Sequence, residues 1–385
     1  MVIVNASNNI AQKFNVTELK KHLSQAQELK KSSVKRNIKP LTDKSSTTCS
    51  KNLIDANEVK EKKEEFSKKG LELLKDGKVA VVTMAGGQGT RLGTNAPKGC
   101  YVIRGKSLFA MHKDRLDRLN KLTGKTVPWL LMTSEATHKP TVDYFSKEVK
   151  YADVRFFKQD SIPALDKQGE AIKADKQGTP FLAPNGNGGI FSALKSSGEL
   201  EKLKKAGVKY LHVLTVDNVL NKPADPVVLG AAAINASDAL SKCITRKNAE
   251  EKIGVFALEA DKLVVAEYTE LPKESAAFSH ANIASHVFSV EFVESMSSKD
   301  ELPYHLAEKK IPTEGGIMVE GYKLEKFIFD VLPHAKKPMV LEVDRTNEFS
   351  PLKNATGADS PQTCADDLEK YKPKDDLEKL IIKPQ

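Results

Sequence analysis

From Val79 to Met84 a run of β-forming residues, apolar but for Thr83, breaks into Gly86-Gly87-Gln88-Gly89, with Arg91 and Lys98 close behind (VAVVTMAGGQGTRLGTNAPKG, residues 79–99). A strand with apolar residues at both alternating sets of positions is buried on both faces, as strands of a parallel sheet covered by helices are. Glycines at its end let bare backbone N–H groups approach a phosphate, because no Cβ stands in the way. Two cations nearby neutralise what those amides cradle. The loop has no GK[ST] ending, and Leu92 stands where a third glycine would belong, so it is neither a Walker A loop nor a dinucleotide fingerprint.

The pattern after Val79 extends that reading. Val79–Met84, Pro128–Thr133, Val154–Phe157, Val208–Val216, Val255–Leu258, Leu263–Glu267 and Met339–Val343 read as strands. Ser107–Thr123, Thr137–Glu148, Gly189–Lys204, Asp225–Asn235 and Tyr322–Leu332 read as helices between or after them. Strands alternating with helices predict an α/β fold around a mostly parallel sheet, whose ligands bind beyond the carboxyl ends of the strands. Ahead of it, residues 1–77 form a helical N-terminal segment: Val16, Leu19, Leu23 and Leu29 mark one amphipathic stretch, and Val59, Phe66, Leu71 and Leu74 another over 55–75. Residues 78–353 are expected to form the main domain, and 354–385 a short polar tail with one short helix at most.

Charge and cysteine content narrow the setting. No apolar run approaches the ~20 residues of a membrane span, and the N-terminus lacks the basic and apolar regions of a secretory leader. Four scattered cysteines argue against a disulfide framework or zinc site and for a reducing compartment, by default the cytoplasm. The net charge is +9. Residues 1–77 hold sixteen Lys/Arg against ten Asp/Glu, so six of those nine charges precede the glycine loop. These clusters lack interleaved aromatics, so they read as solvated helix faces, and no nucleic-acid partner is expected.

Several further motifs sit at strand ends. Asp217-Asn218 follows the strand ending at Val216, and a carboxylate there either holds a hard divalent cation against phosphate oxygens or caps a helix. Asn185-Gly186-Asn187-Gly188-Gly189 opens a helix as a second glycine loop: a surface turn, or a close approach for a polyhydroxyl ligand. Gln159 ends a strand with paired donor and acceptor able to read a base edge. Glu267-Tyr268, Asn282, Lys323 and Lys353 are individually uninformative.

In combination, these strings resemble the eukaryotic UDP-N-acetylhexosamine (UDP-N-acetylglucosamine) pyrophosphorylases. The family's glycine signature is similar to Met84–Lys98, and its second glycine loop to Pro184–Gly189. Trp129–Glu135, Val216-Asp217-Asn218, Glu267-Tyr268, Asn282–His286 and Glu348–Asn354 match in order and approximate spacing. The likeness runs from about Val79 to Cys364. It implies a Rossmann-like nucleotidyltransferase fold of the GT-A type. The implied reaction is UTP plus N-acetylglucosamine 1-phosphate giving UDP-N-acetylglucosamine and pyrophosphate with Mg²⁺ (or Mn²⁺).

Carried over by position, the backbone of Met84, Ala85, Gly86 and Gly87 holds the nucleotide, with Arg91 and Lys98 on its phosphates. Gln159 and Gly186 contact uracil. Asn187, Gly254, Glu267, Tyr268 and Asn282 surround the sugar. Asp217 carries the metal, and Lys323 and Lys353 face phosphates.

Asn185 departs from the family's usual Asp. The chain ends about thirty residues after Lys353, where relatives continue into a C-terminal β domain, so that domain is expected to be largely absent and the protein monomeric. Two other readings stay open: the same chemistry on N-acetylgalactosamine or glucose 1-phosphate, and a non-catalytic sugar-nucleotide-binding protein. The presence of Arg91, Lys98, Asp217 and Lys353 favours the enzyme.

Overall fold

A computed structural model describes residues 15–33, 36–42, 51–272, 275–299, 301–313 and 316–382. Eight strands make the main path of its central sheet. They are β1 (Leu53–Ile54), β2 (Val79–Met84), β3 (Trp129–Thr133), β4 (Val154–Lys158), β5 (Tyr210–Thr215), β6 (Ala239–Thr245), β7 (His280–Ser289) and β8 (Pro338–Glu342), in the spatial order β1-β8-β6-β7-β5-β2-β3-β4. All neighbours run parallel except that β7 opposes both β5 and β6. The first residues of β7 therefore lie at the carboxyl end of the sheet, where Asn282 pairs with Cys243.

The apolar run of β2 is explained by two cores. Val79 and Val81 enter one layer with Trp129 and Leu131, while Ala80, Val82 and Met84 enter the other with Leu130 and Met132. Successive side chains of a strand point to opposite faces, so a strand between two helical layers is apolar on both, and its one polar side chain, Thr83, needs a partner. Trp129 satisfies its buried indole by donating to Thr83 Oγ1 at 2.9 Å.

Several expectations are corrected. Neither β6 nor β7 was expected, because their sequences (ALSKCIT and HANIASHVFS) carry polar residues at buried positions. Several of those groups pair across strands: His212 Nε2 with Ser285 Oγ at 3.0 Å, and Ser241 Oγ with His286 Nδ1 at 2.7 Å. The helix expected over Gly189–Lys204 is two, Ile190–Ser196 and Glu199–Lys205, separated at Gly198 with φ 75°, a left-handed conformation that stops a helix. Residues expected as a helix over Tyr322–Leu332 instead end a strand, Met318–Glu325, paired with His305–Pro312, before a 3₁₀ turn at Ile328–His334.

The first and last described helices join the body. Leu19, Leu23 and Ala26 of the helix Val16–Ser33 pack with Leu165 and Leu324 of the hairpin region. The helix Ala56–Lys75 crosses Pro226–Ile234 where Gly70 and Gly230 lie, and a Cβ on either would strike backbone of the other helix. The tail forms two helices, Pro361–Lys370 and Asp376–Ile381, and places Cys364, Leu368, Tyr371, Ile381 and Ile382 in the core that holds Trp129. The expected polar tail with one short helix is thus overturned: its few apolar residues are spread over two short helices, too thinly to read as an amphipathic face.

Candidate active site

The residues after Met84 form a closed loop at the carboxyl end of β2. Ala85 N–H donates to Met132 O at 2.7 Å, Gly89 N–H to Ala96 O at 3.0 Å, and Lys98 N–H to Gly87 O at 3.0 Å. Lys98 is thereby folded back over the sheet, and its Nζ donates to Asp217 Oδ2 at 3.1 Å. Asp217 follows β5, the strand beside β2. Burial alone would raise its carboxyl pKa. The charge and hydrogen bond of Lys98, a bond from Thr215 and the charge of Lys353 outweigh burial and hold it below its ordinary value.

Lys353 is brought to this point by main-chain stitching. Leu352 N–H donates to Asp217 O at 2.8 Å, and Val219 N–H to Ser350 O at 3.1 Å. Asn218, fully buried, completes the seam: its Nδ2 donates to Glu348 O at 2.7 Å, and its Oδ1 accepts from Ser350 N–H at 2.9 Å. Lys353 Nζ lies 3.3 Å from Asp359 Oδ2. Of the expected phosphate ligands, Lys98 and Lys353 therefore converge on Asp217. Arg91 is exposed in the turn Thr90–Leu92, and Lys323 stands over the Phe181 ring, 5.5 Å from its centroid, on the hairpin.

The expected base-reading residues also meet. Gln159, buried at the end of β4, has its amide against Gly86, where a Cβ would collide with Nε2. Ser134 Oγ donates to Gly86 O at 2.8 Å and fixes that peptide. Asn185 N–H donates to Asp160 O at 3.0 Å, which sets the second glycine loop beside Gln159. Gly186 has φ 90°, and its Cα faces the Lys326 backbone so closely that no side chain fits. The Asn187 side chain is partly committed to structure, since Oδ1 accepts from Ile328 N–H at 2.9 Å. Asn185 is buried against Gly189.

On the other side of the sheet end, Gly254 O accepts from Asn282 N–H at 2.9 Å, and a Cβ on Gly254 would lie 3.2 Å from Glu267 Oε1. These three expected sugar ligands form one group. Burial, and then the charge of Glu270, push the Glu267 carboxyl up. Tyr268 beside it is 43% exposed.

The sequence reading missed the supports of the site. Arg115, buried in the helix Leu108–Thr123, donates through Nη2 to Val219 O at 2.8 Å and through Nη1 to Asn221 O, holding the turn after Asp217. Lys242 on β6, also buried, is paired with Asp225 and with Glu348 Oε2 at 2.9 Å.

A family model described as UTP--glucose-1-phosphate uridylyltransferase matches residues 14–359. The chain is 36% identical over 335 residues to the UDP-N-acetylglucosamine pyrophosphorylase of Saccharomyces cerevisiae, covering 78% of this chain and 70% of the yeast protein. It is 38% identical over 344 residues to UDP-N-acetylglucosamine diphosphorylase 2 of Arabidopsis thaliana, covering 80% and 67%. The crystal structure of the Trypanosoma brucei uridine diphosphate N-acetylglucosamine pyrophosphorylase in complex with inhibitor superposes with a TM-score of 0.80 at 29% identity, covering 91% of this chain and 75% of that one.

Proposed function

Since this chain belongs to the UTP--glucose-1-phosphate uridylyltransferase family, we propose that its site joins UTP to N-acetylglucosamine 1-phosphate, releasing pyrophosphate. The protein is a uridylyltransferase of the UDP-N-acetylglucosamine pyrophosphorylase group. The observation that carries the residue assignment is the convergence of Lys98 and Lys353 on Asp217 beside the closed glycine loop.

The sugar phosphate attacks the α-phosphorus of UTP in line, the new P–O bond forming as the bond to pyrophosphate breaks. Its second pKa is about 6, so at neutral pH it is largely a dianion and needs no general base. The site's task is to hold two polyanions together and to neutralise charge at the transferring group. Lys98, Lys353 and Arg91 supply cations, the Gly86–Gly87 amides cradle phosphate, and Lys323 faces phosphate from the hairpin. Gln159 and Gly186 read uracil, while Gly254, Glu267, Asn282 and the remaining amide of Asn187 face the sugar.

Asp217 would hold Mg²⁺ or Mn²⁺. An ionised carboxylate at the phosphate end of the site fits a cation bound by one carboxylate and substrate oxygens, and among the described residues no cluster of three ligating side chains offers a full protein cage. When bound, the ion neutralises phosphate charge.

The finer elements of this reading are a GT-A-type scaffold, a cytoplasmic setting, a monomeric state and the absence of a nucleic-acid partner. The parallel sheet with one reversed strand supports the first. Cys100, Cys243 and Cys364, all unbridged with thiols pushed up by burial, support a reducing compartment. Lys62, Arg36 and Lys30 of the basic N-terminal segment are engaged by Glu58, Glu259 and Glu308.

Pyrophosphate release with UTP against a panel of sugar 1-phosphates tests the assignment. N-Acetylglucosamine 1-phosphate is expected to be the best acceptor, and CTP or ATP to fail. Equal use of glucose 1-phosphate would move the protein to the other branch of the family.

A further inference from the structure

The strand Ile38–Pro40, ahead of β1, pairs antiparallel with Val255–Glu259 at the rim of the sheet. Arg36 precedes it and reaches inward. Its guanidinium grips Glu259 with two nitrogens, Nε to Oε1 at 3.2 Å and Nη2 to Oε2 at 3.0 Å, and gives Nη1 to Glu270 Oε2 at 2.7 Å. The same Glu270 oxygen accepts from Glu267 N–H at 3.0 Å, and Glu270 N–H donates to Glu267 O at 2.8 Å. The turn that presents Glu267 is thus closed by Glu270 and clamped by Arg36.

We propose that Arg36 is a positioning residue for the sugar phosphate, holding the Glu267–Glu270 turn so that Glu267, Gly254 and Asn282 keep one geometry. This rests on the reading of Glu267 as a sugar ligand. A planar guanidinium can satisfy two carboxylates at once, which a lysine cannot reproduce. Without it, the largely buried Glu270 carboxylate loses its cation while remaining next to Glu267. The other charged groups facing Glu267 are His305 and Asp330, from the strand His305–Pro312 and the turn Ile328–His334. They are paired with one another at 2.7 Å and leave Glu270 uncompensated. An unneutralised neighbour pushes the Glu267 carboxyl further up. Protonation then removes the acceptor at a higher pH, and the acid limb of sugar-phosphate affinity moves upward.

The test is steady-state kinetics of the full chain, with both substrates varied across pH, for Arg36→Ala, Arg36→Lys and the double variant Arg36→Ala/Glu270→Gln. Arg36→Ala is expected to raise KM for N-acetylglucosamine 1-phosphate about tenfold, the scale of one lost charge-assisted contact, with KM for UTP and kcat nearly unchanged and the acid limb shifted upward. Arg36→Lys should fall between the parent and Arg36→Ala, and it carries the comparison if Arg36→Ala does not fold. The double variant should return the acid limb toward the parent. An unmoved sugar KM, an unmoved acid limb, or equal rises for both substrates would overturn the proposal. Glu267→Gln separates the two levels: if it raises the sugar KM and Arg36→Ala does not, this inference alone fails. If Glu267→Gln also leaves that KM unchanged, the sugar-site reading fails.

Discussion

Lys98 Nζ sits 3.1 Å from Asp217 Oδ2, joining the loops that leave two adjacent parallel strands, β2 and β5. One residue was expected to bind phosphate and the other metal, and here they pair with one another. In the proposed function a nucleotide and its cation would give both partners a new counter-charge, so separating the pair would exchange one neutralisation for another.

The pair fixes the first prediction. Asp217→Asn keeps the shape of the side chain and should keep the fold, with only a modest fall in thermal stability from the lost Lys98 pair at a site partly open to solvent. Turnover should fall about a hundredfold, as when a cation's anchor is lost. Initial rates over a Mg²⁺ titration, with melts in parallel, check it. Full activity at limiting Mg²⁺ would remove Asp217 from the role.

Lys353→Ala should lower kcat/KM about ten- to a hundredfold, the equivalent of one charge-assisted contact of roughly 1.5–3 kcal/mol. Asn218→Ala should reproduce much of that loss without touching substrate, because the Asn218 side chain binds both Glu348 O and Ser350 N–H and so carries the segment leading to Lys353. Kinetics of the two single variants and the double decide the point. Additive losses would mean that Asn218 does not act through Lys353.

What the sequence revealed, and what it concealed, divides along physical lines. Residues 79–99 were legible because an apolar run, a glycine break and nearby cations are all local features. Gln159 and Asp217 were legible as residues just past such runs. β7 was hidden because its Ser285 and His286 find their partners on β5 and β6, seventy-three and forty-five positions away in the His212–Ser285 and Ser241–His286 pairs. Arg36, Arg115 and Lys242 were hidden for the same reason: each is an ordinary cation until the fold delivers carboxylates or carbonyls to it. The placement of Lys323 on a hairpin depended on a pairing with residues 305–312 that no local periodicity encodes.

Acid stability follows from the buried ion network. Asp225 pairs with Lys242. Burial alone would raise its carboxyl, but the charges of Lys242 and Lys222 bring it down to about 2. A carboxyl depressed in the folded state contributes stability that is present above its unfolded pKa and lost as pH falls through the folded one, here from about 4 down to 2. The contribution is roughly 2 kcal/mol at neutral pH. Asp225→Asn should lower the urea midpoint at pH 7 and flatten the fall between pH 4 and 2. Parallel curves for the two proteins through that window would contradict it.

The tail provides the last prediction, and it reverses what its composition suggests. Ending the chain after Asp366 would strip Leu368, Tyr371, Ile381 and Ile382 from the main core and remove Glu378, whose carboxylate takes Lys222 Nζ and the Tyr371 hydroxyl. Each large apolar side chain fully buried is worth about 1.5–3 kcal/mol, so four approach the 5–15 kcal/mol that holds a whole domain together. Lys222 would be left inside with Glu348 as its remaining carboxylate. Glu348 lies just before the segment carrying Lys353, so the damage reaches the site. The truncated chain should therefore melt far below the full chain and lose activity through unfolding, whereas Lys353→Ala should lose activity with its melting temperature intact. Urea unfolding and initial rates for the two proteins side by side separate these outcomes. A truncated chain that kept both midpoint and rate would show that the tail helices pack without supporting the core.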